Sequence, residues 1–310
     1  MLLRIFTVAL NAYREAVRAR VLLGLTGVAF AVAIYSLVVG AFTLDEAPRV
    51  VADLGAAAIS IFSIAVAILV AATSLHRELE MKTILPLLAR PIRRGEYLVG
   101  KYLGTLFVVL VFVLAEGGLV LSMSAALGGR NLALTVGVEL ALLALLALAM
   151  WRYPRARTFG PIPWAAATFV AGFVLCGVSP LERSLIVSSS LLTVLEVAII
   201  AAVATLFSSF STPFLSSLLT VGAVLVGRNA DALARLPVKF FGPTVRELGK
   251  GLAAIVPNLQ IYVPARPLLT GEALEADLPR YLAMASLQSL GWMVGLLAAA
   301  ILVFQRRDFQ

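Results

Sequence analysis

The sequence predicts an all-α, polytopic membrane protein of about eight transmembrane helices, and three observations carry that reading. Hydrophobic residues fill 61% of the 310 positions, and the mean hydropathy is +1.00. Only 14% of residues are charged, against about 25% in soluble domains. The apolar residues also gather into separate runs near the length of about 20 residues that crosses a bilayer.

The runs fall at 21–42, 54–74, 102–126, 131–151, 162–179, 185–207, 213–227 and 283–304. The first is longer than the apolar core of a signal peptide and follows some twenty residues rich in arginine, so a retained span is expected. The second and third flank the polar stretch LHRELEMKTILPLLARPIRRGEYLVGK (75–101), which must sit in water. The fourth and fifth form a hairpin around WRYPRARTFGPIP (151–163). The seventh, 213–227, is short enough to be either a crossing or a re-entrant segment, and six spans is the competing count. Eight crossings place both termini on one side. Fifteen basic residues then face that side, against three in the short loops of the other and seven in the long loop 228–280, where the charge rule acts weakly; the first side is therefore expected to be the cytoplasmic side of a bacterial inner membrane.

Two further segments have helical periodicity without the hydropathy of a span. In residues 1–20, Ile5, Val8, Ala9, Ala12 and Ala16 share one face while Arg4, Asn11, Arg14, Glu15 and Arg18 occupy others. An amphipathic helix on the inner face, its arginines beside anionic lipid, is expected. In the external loop 228–280, Phe241, Val245, Leu248, Leu252 and Ile255 recur at helical spacing. That segment reads as a helix packed across the spans, or as a gate or docking surface for a periplasmic partner.

Composition also excludes functions. The net charge of +8 comes from 21 Arg and 4 Lys scattered through juxtamembrane loops, so nucleic acid is not an expected partner. The arginine bias, with abundant Ala, Leu and Val, points to a GC-rich bacterial genome. Cys176 is the only cysteine and His76 the only histidine, so neither a disulfide, a metal cluster nor a hydrolytic triad is expected. Residues 95–101 satisfy G-x-x-x-x-G-K, but Tyr102 replaces the magnesium-holding hydroxyl and no strand precedes the loop. The chain is therefore not expected to hydrolyse ATP or to be an enzyme.

Glu116, Glu139 and Glu196 lie in the middle of three different runs. Carboxylates at that depth are costly and must face protein or water. They are candidates for a substrate route or proton relay, or for interhelical bonds to Ser122, Thr193 or Thr205. The pairs Gly100/Gly104 and Gly291/Gly295 are G-x-x-x-G signals for close helix contact, self-association included.

The segment ELEMKTILPLLARPIRRGEYLVGKYLG (78–104) resembles the cytoplasmic signature of ABC-2-type exporter permeases, which likewise follows the second span. LFSSFSTPFLSSLLTVGAVLVGRNADAL (206–233), VPNLQIYVP (256–264) and LVFQRRDF (302–309) extend the likeness, which covers 1–126 and 185–310. Its closest branch is similar to the permease of the nitrous-oxide reductase copper-maturation system. The resemblance implies a six-span core, here carrying an extra hairpin at 131–180. It implies a homodimer working with two copies of a separate ATPase subunit, which would carry the ATP and magnesium; no cofactor is expected in this chain. The segment around residues 78–94 would be the coupling helix. Arg77, Glu78, Glu80, Lys82, Thr83, Arg90, Arg93, Arg94 and Glu96 would offer polar contacts, and Ile84, Leu87, Leu88 and Ile92 an apolar plug, with Pro91 ending a helical turn. Two readings compete: an ion-coupled transporter using the three glutamates, and a membrane scaffold for a periplasmic assembly.

Overall fold

The computed structural model describes residues 2–43, 46–80, 93–270 and 277–306, with the side chains of 20–22, 75–80 and 238–241 left aside. Lys82, Thr83, Leu87, Arg90 and Pro91 of the coupling assignment, with Ile84, Leu88 and Ile92 of its apolar plug, therefore lie outside the described residues. The described chain forms thirteen α-helices and two short 3-10 turns, with no strand. In chain order they are α1 (Leu2–Arg18), α2 (Arg20–Ala41), α3 (Ala47–Glu80), α4 (Arg94–Leu127), α5 (Leu132–Arg152) and α6 (Ala156–Phe159). Then follow α7 (Pro161–Leu175), α8 (Pro180–Ser208), α9 (Pro213–Arg228), α10 (Ala230–Ala234), α11 (Val238–Ile255), α12 (Arg266–Thr270) and α13 (Leu278–Gln305). Seven of these are long and apolar enough to span a membrane: α2, α3, α4, α5, α7 with its 3-10 extension, α8 and α13. The protein is a multi-pass, all-α membrane protein.

The core is the packing of α3, α4, α7 and α8. Their inward faces carry Val, Ile, Leu and small residues, including Ile59, Val66, Val109, Leu121, Ile186, Leu192 and Ile199. Hydrophobicity does not drive helices together in lipid, so close backbone approach must. It is visible where α4 meets α7. A Cβ on Gly118 would lie 2.6 Å from the backbone of Thr168 and Phe169, and one on Gly172 would lie 2.5 Å from the carbonyl of Gly118. The hairpin's second arm is thus built into the core. Its first arm is not: α5 buries little more than Thr135, leaving its apolar surface to lipid or another chain.

α1 is amphipathic, burying Ile5, Val8, Ala9, Ala12, Tyr13 and Ala16. That face crosses α4 at Gly100 and Gly104, where a Cβ would meet Val8 at 2.6 Å and Ala12 at 2.5 Å. The G-x-x-x-G pair at 100/104 is therefore filled by α1. Gly291 and Gly295 have nothing within contact range. The Tyr13 hydroxyl donates to the Thr158 carbonyl oxygen (3.1 Å), and its ring lies against Phe107 and Phe159. Lys101 Nζ meets Glu15 Oε2 at 3.2 Å, while Arg94 donates to the Gln305 carbonyl oxygen (2.9 Å). These contacts gather α1, the α5–α7 turn, the start of α4 and the end of α13 at one end of the bundle. Both described ends of the chain lie there.

The segment expected as a single external loop contains α10, α11, a 3-10 turn at Gln260–Tyr262 and α12. Within α11 the chain breaks at Gly242, whose φ of +78° suits glycine, just before Pro243. Val245, Leu248, Leu252 and Ile255 of α11 are all exposed.

Candidate functional site

α9 decides the geometry of the site. Its 16 residues span about 24 Å, short of the roughly 30 Å hydrocarbon core. It runs antiparallel to α8: Thr220, Ala223 and Val224 face Ile199, Ile200 and Val203 around a small void, and Arg228 reaches Glu196. The last residue of α9 is thus level with a residue about 24 Å from the start of α8 and about 18 Å from its end. The helix enters from the end that holds the termini and stops midway. Irregular backbone at such a depth survives where protein buries it or a cavity is present to satisfy it. Here Leu259 N–H donates to the Gly227 carbonyl oxygen at 2.9 Å.

Arg228 closes the end of this half-helix, where a cation also complements the helix dipole. Its Nε and one terminal nitrogen donate to the two oxygens of Glu196, each at 2.8 Å, and the same nitrogen donates to Ser60 Oγ of α3. The pair is bidentate and asymmetric in exposure: the Glu196 side chain is 1% exposed, that of Arg228 27%. The exposed edge of Arg228 faces a cavity of about 240 Å³, lined by Ser60 of α3, Ser189 and Thr193 of α8, and Tyr262. The cavity continues to Asp53 and Arg266, near the opposite end of the bundle from the termini. At that rim, Arg266 donates to Asp53 Oδ1 (2.5 Å) and Glu182 Oε1 (2.8 Å), tying α12 to α3 and α8. An ion-paired floor and an ion-paired rim thus bracket a mostly apolar chamber with hydroxyls on its walls. Arg228 and Arg266 were not among the candidates from sequence. The spacing of Leu185, Ser189, Thr193 and Glu196 along one stripe of α8 was the available signal.

The three glutamates do not converge. Glu139 of α5 accepts from Ser122 Oγ at 2.7 Å, and Glu196 is held by Arg228. Glu116 is fully buried in α4, with no hydrogen-bond partner for either oxygen among the described residues. Glu139 therefore has the interhelical bond that the sequence offered as its simpler role.

At the other end, α3 continues through Arg77, Glu78 and Glu80, about six residues beyond its apolar run. Arg93 is the N-cap of α4, and its backbone N–H donates to Glu96 Oε2 (3.3 Å). Glu96 is itself buried, and Arg94 binds the end of α13. Glu96 and Arg94 therefore hold the start of α4 in place.

The described chain is thus a bundle of apolar spans with a half-helix that ends at an ion pair beneath a chamber open toward one end. The family described as ABC-2 family transporter protein matches residues 6–309, and the chain belongs to that family. The match passes through the hairpin as well as the flanking regions. Members are membrane permease subunits of ABC transporters, a non-catalytic transport role. No curated protein matches the chain.

Proposed function

We propose that the chain is the membrane subunit of an ATP-driven exporter in a bacterial inner membrane, energised by a separate ATPase subunit bound at the end that carries the termini. Family membership supports the ATPase partner. The observation that carries the transport reading is the half-helix α9, which ends midway through the bundle at Arg228–Glu196, beneath a chamber that reaches the far end. A route closed at the floor and reaching one side is what alternating access requires of one of its two states.

In this reading two copies of the chain pair with two ATPase subunits, and residues 78–94 dock on them, with Glu78 and Glu80 contributing charge. ATP and magnesium bind the ATPases alone, and their closure draws the coupling segments together. Because Glu96 and Arg94 fix the start of α4, movement of the segment is passed to α4, and through its packing to α7 and α8. The Arg228–Glu196 pair is the part of the route that must separate for passage. The likeness to the permease of the nitrous-oxide reductase copper-maturation system supports, as a narrower reading, service to a periplasmic assembly.

The test is accessibility at the chamber wall. Thr193→Cys, in a chain whose Cys176 is buried, is labelled from the far side with an impermeant maleimide in the reconstituted complex. Trapping ATP on the partner is expected to change the labelling rate several-fold. An unchanged rate in every nucleotide state removes the alternating-access reading.

A further inference from the structure

Between α1, α4 and α7 lies a groove of about 530 Å³ with no charged or hydroxyl-bearing side chain on its walls. α1 roofs it with Leu2, Ile5, Phe6, Ala9 and Leu10, and Leu103, Phe107 and Ile162 complete it. Phe6 and Leu103 are substantially exposed, so it is a groove with an open flank. Its depth is set by α4: Lys101, paired with Glu15, marks the polar boundary, and the groove starts two residues further into the apolar run. The groove therefore opens to the leaflet at the end that holds the termini.

We propose that this groove holds an acyl chain of an anionic phospholipid, with the lipid phosphate on Arg14. Charge placement selects this occupant. On the α1 helical wheel Leu3, Phe6 and Leu10 form an outward apolar flank, Arg4 and Arg18 lie on the face opposite the groove, and Arg14 follows the groove residue Leu10 by one turn. Arg14 lies at the border between the two. Its guanidinium stands 5.0 Å over the Phe159 ring, and Phe159 is three residues before the groove residue Ile162. A planar cation beside the mouth of an apolar groove, at the level of the lipid headgroups, matches a diester phosphate whose tail enters the groove. A zwitterionic lipid or a detergent tail would fill the same volume without using Arg14, which sets the arms of the test.

The full-length chain is reconstituted in vesicles of equal parts phosphatidylglycerol and phosphatidylcholine, extracted in mild detergent, and its retained lipid identified by native mass spectrometry. The wild type is expected to keep phospholipid with phosphatidylglycerol enriched about fivefold, the contribution of one arginine near an anionic surface. Arg14→Gln is expected to keep lipid and lose the enrichment. Leu103→Trp, which fills the groove from a partly exposed position, is expected to lose at least nine-tenths of it. If that variant is not monodisperse, Ile162→Trp from the other wall replaces it, with the same expectation. Retention of detergent only, equal retention of the two lipids by the wild type, or unaltered lipid in the monodisperse groove-filled variant overturns the proposal.

Discussion

The Arg228–Glu196 pair makes a quantitative prediction because its two sides are not equivalent. Arg228→Met leaves a carboxylate that is 1% exposed and has lost the two hydrogen bonds it accepted from the guanidinium. Removing one partner of a buried pair costs about 3–5 kcal/mol, and this change should lie in that range. Glu196→Leu leaves a guanidinium that is 27% exposed and borders the chamber, where water can solvate it. Its cost should be nearer that of a charged hydrogen bond, about 1.5–3 kcal/mol. The double change Arg228→Met/Glu196→Leu removes both charges and should recover most of the larger loss, since apolar replacement of a buried pair is often neutral. Denaturant unfolding of the detergent-solubilised chain, analysed as a double-mutant cycle, reads all three. Equal costs for the two single changes, or a coupling energy below about 0.5 kcal/mol, would refute the assignment of a desolvated glutamate held by a solvated arginine.

Other predictions follow from packing. Gly118→Ala should destabilise by about 1–3 kcal/mol, because its Cβ would press on the α7 backbone; Gly137→Ala, in open space, should stay within about 0.5 kcal/mol in the same unfolding assay. Tyr13→Phe removes the bond to Thr158 and should cost about 1 kcal/mol. Burial pushes the Tyr13 phenol up to about 12, so the neutral form is favoured by folding. Its contribution should be complete below the ordinary phenol pKa near 10 and fade as pH rises toward 12, which an unfolding series between pH 8 and 12 would show. Cysteines at positions 155 and 129 should label from opposite faces of the membrane, as should 155 and 182; labelling of all three from one face would break the described arrangement of the hairpin.

The hydropathy runs made the long spans legible, because a bilayer demands apolar length and the bundle supplies it in seven helices. The half-helix was only partly legible. Residues 213–227 read as a short run, but the depth at which they stop depends on the register against α8, fixed by Glu196 and by Leu259 returning to Gly227. These contacts join residues 32 apart in sequence. Among the glutamates, sequence offered Glu196 as a site residue and Ser122 as a bonding partner; it did not offer Arg228, which sits at the start of a loop where arginines are common. Gly100/Gly104 announced a close contact without naming the partner, because a small-residue pair accepts any helix that fits. The amphipathic periodicity of 1–20 identified α1, yet its docking across α4 and onto Thr158 depends on shape and on contacts between residues far apart in sequence, Glu15 with Lys101 and Tyr13 with Thr158.

In the proposed function a separate ATPase drives this permease through the connection between α3 and α4. The most direct measurement is ATP hydrolysis and transport by the complex purified through a tag on this chain, with and without Glu78→Lys/Glu80→Lys. A P-loop ATPase should co-purify in stoichiometric amount, and transport should require ATP. The double change should detach or uncouple the ATPase while the unfolding free energy of this chain stays within about 0.5 kcal/mol of wild type. Wild-type coupling in the double variant, or transport by the isolated chain on a proton gradient without ATP, would contradict that function.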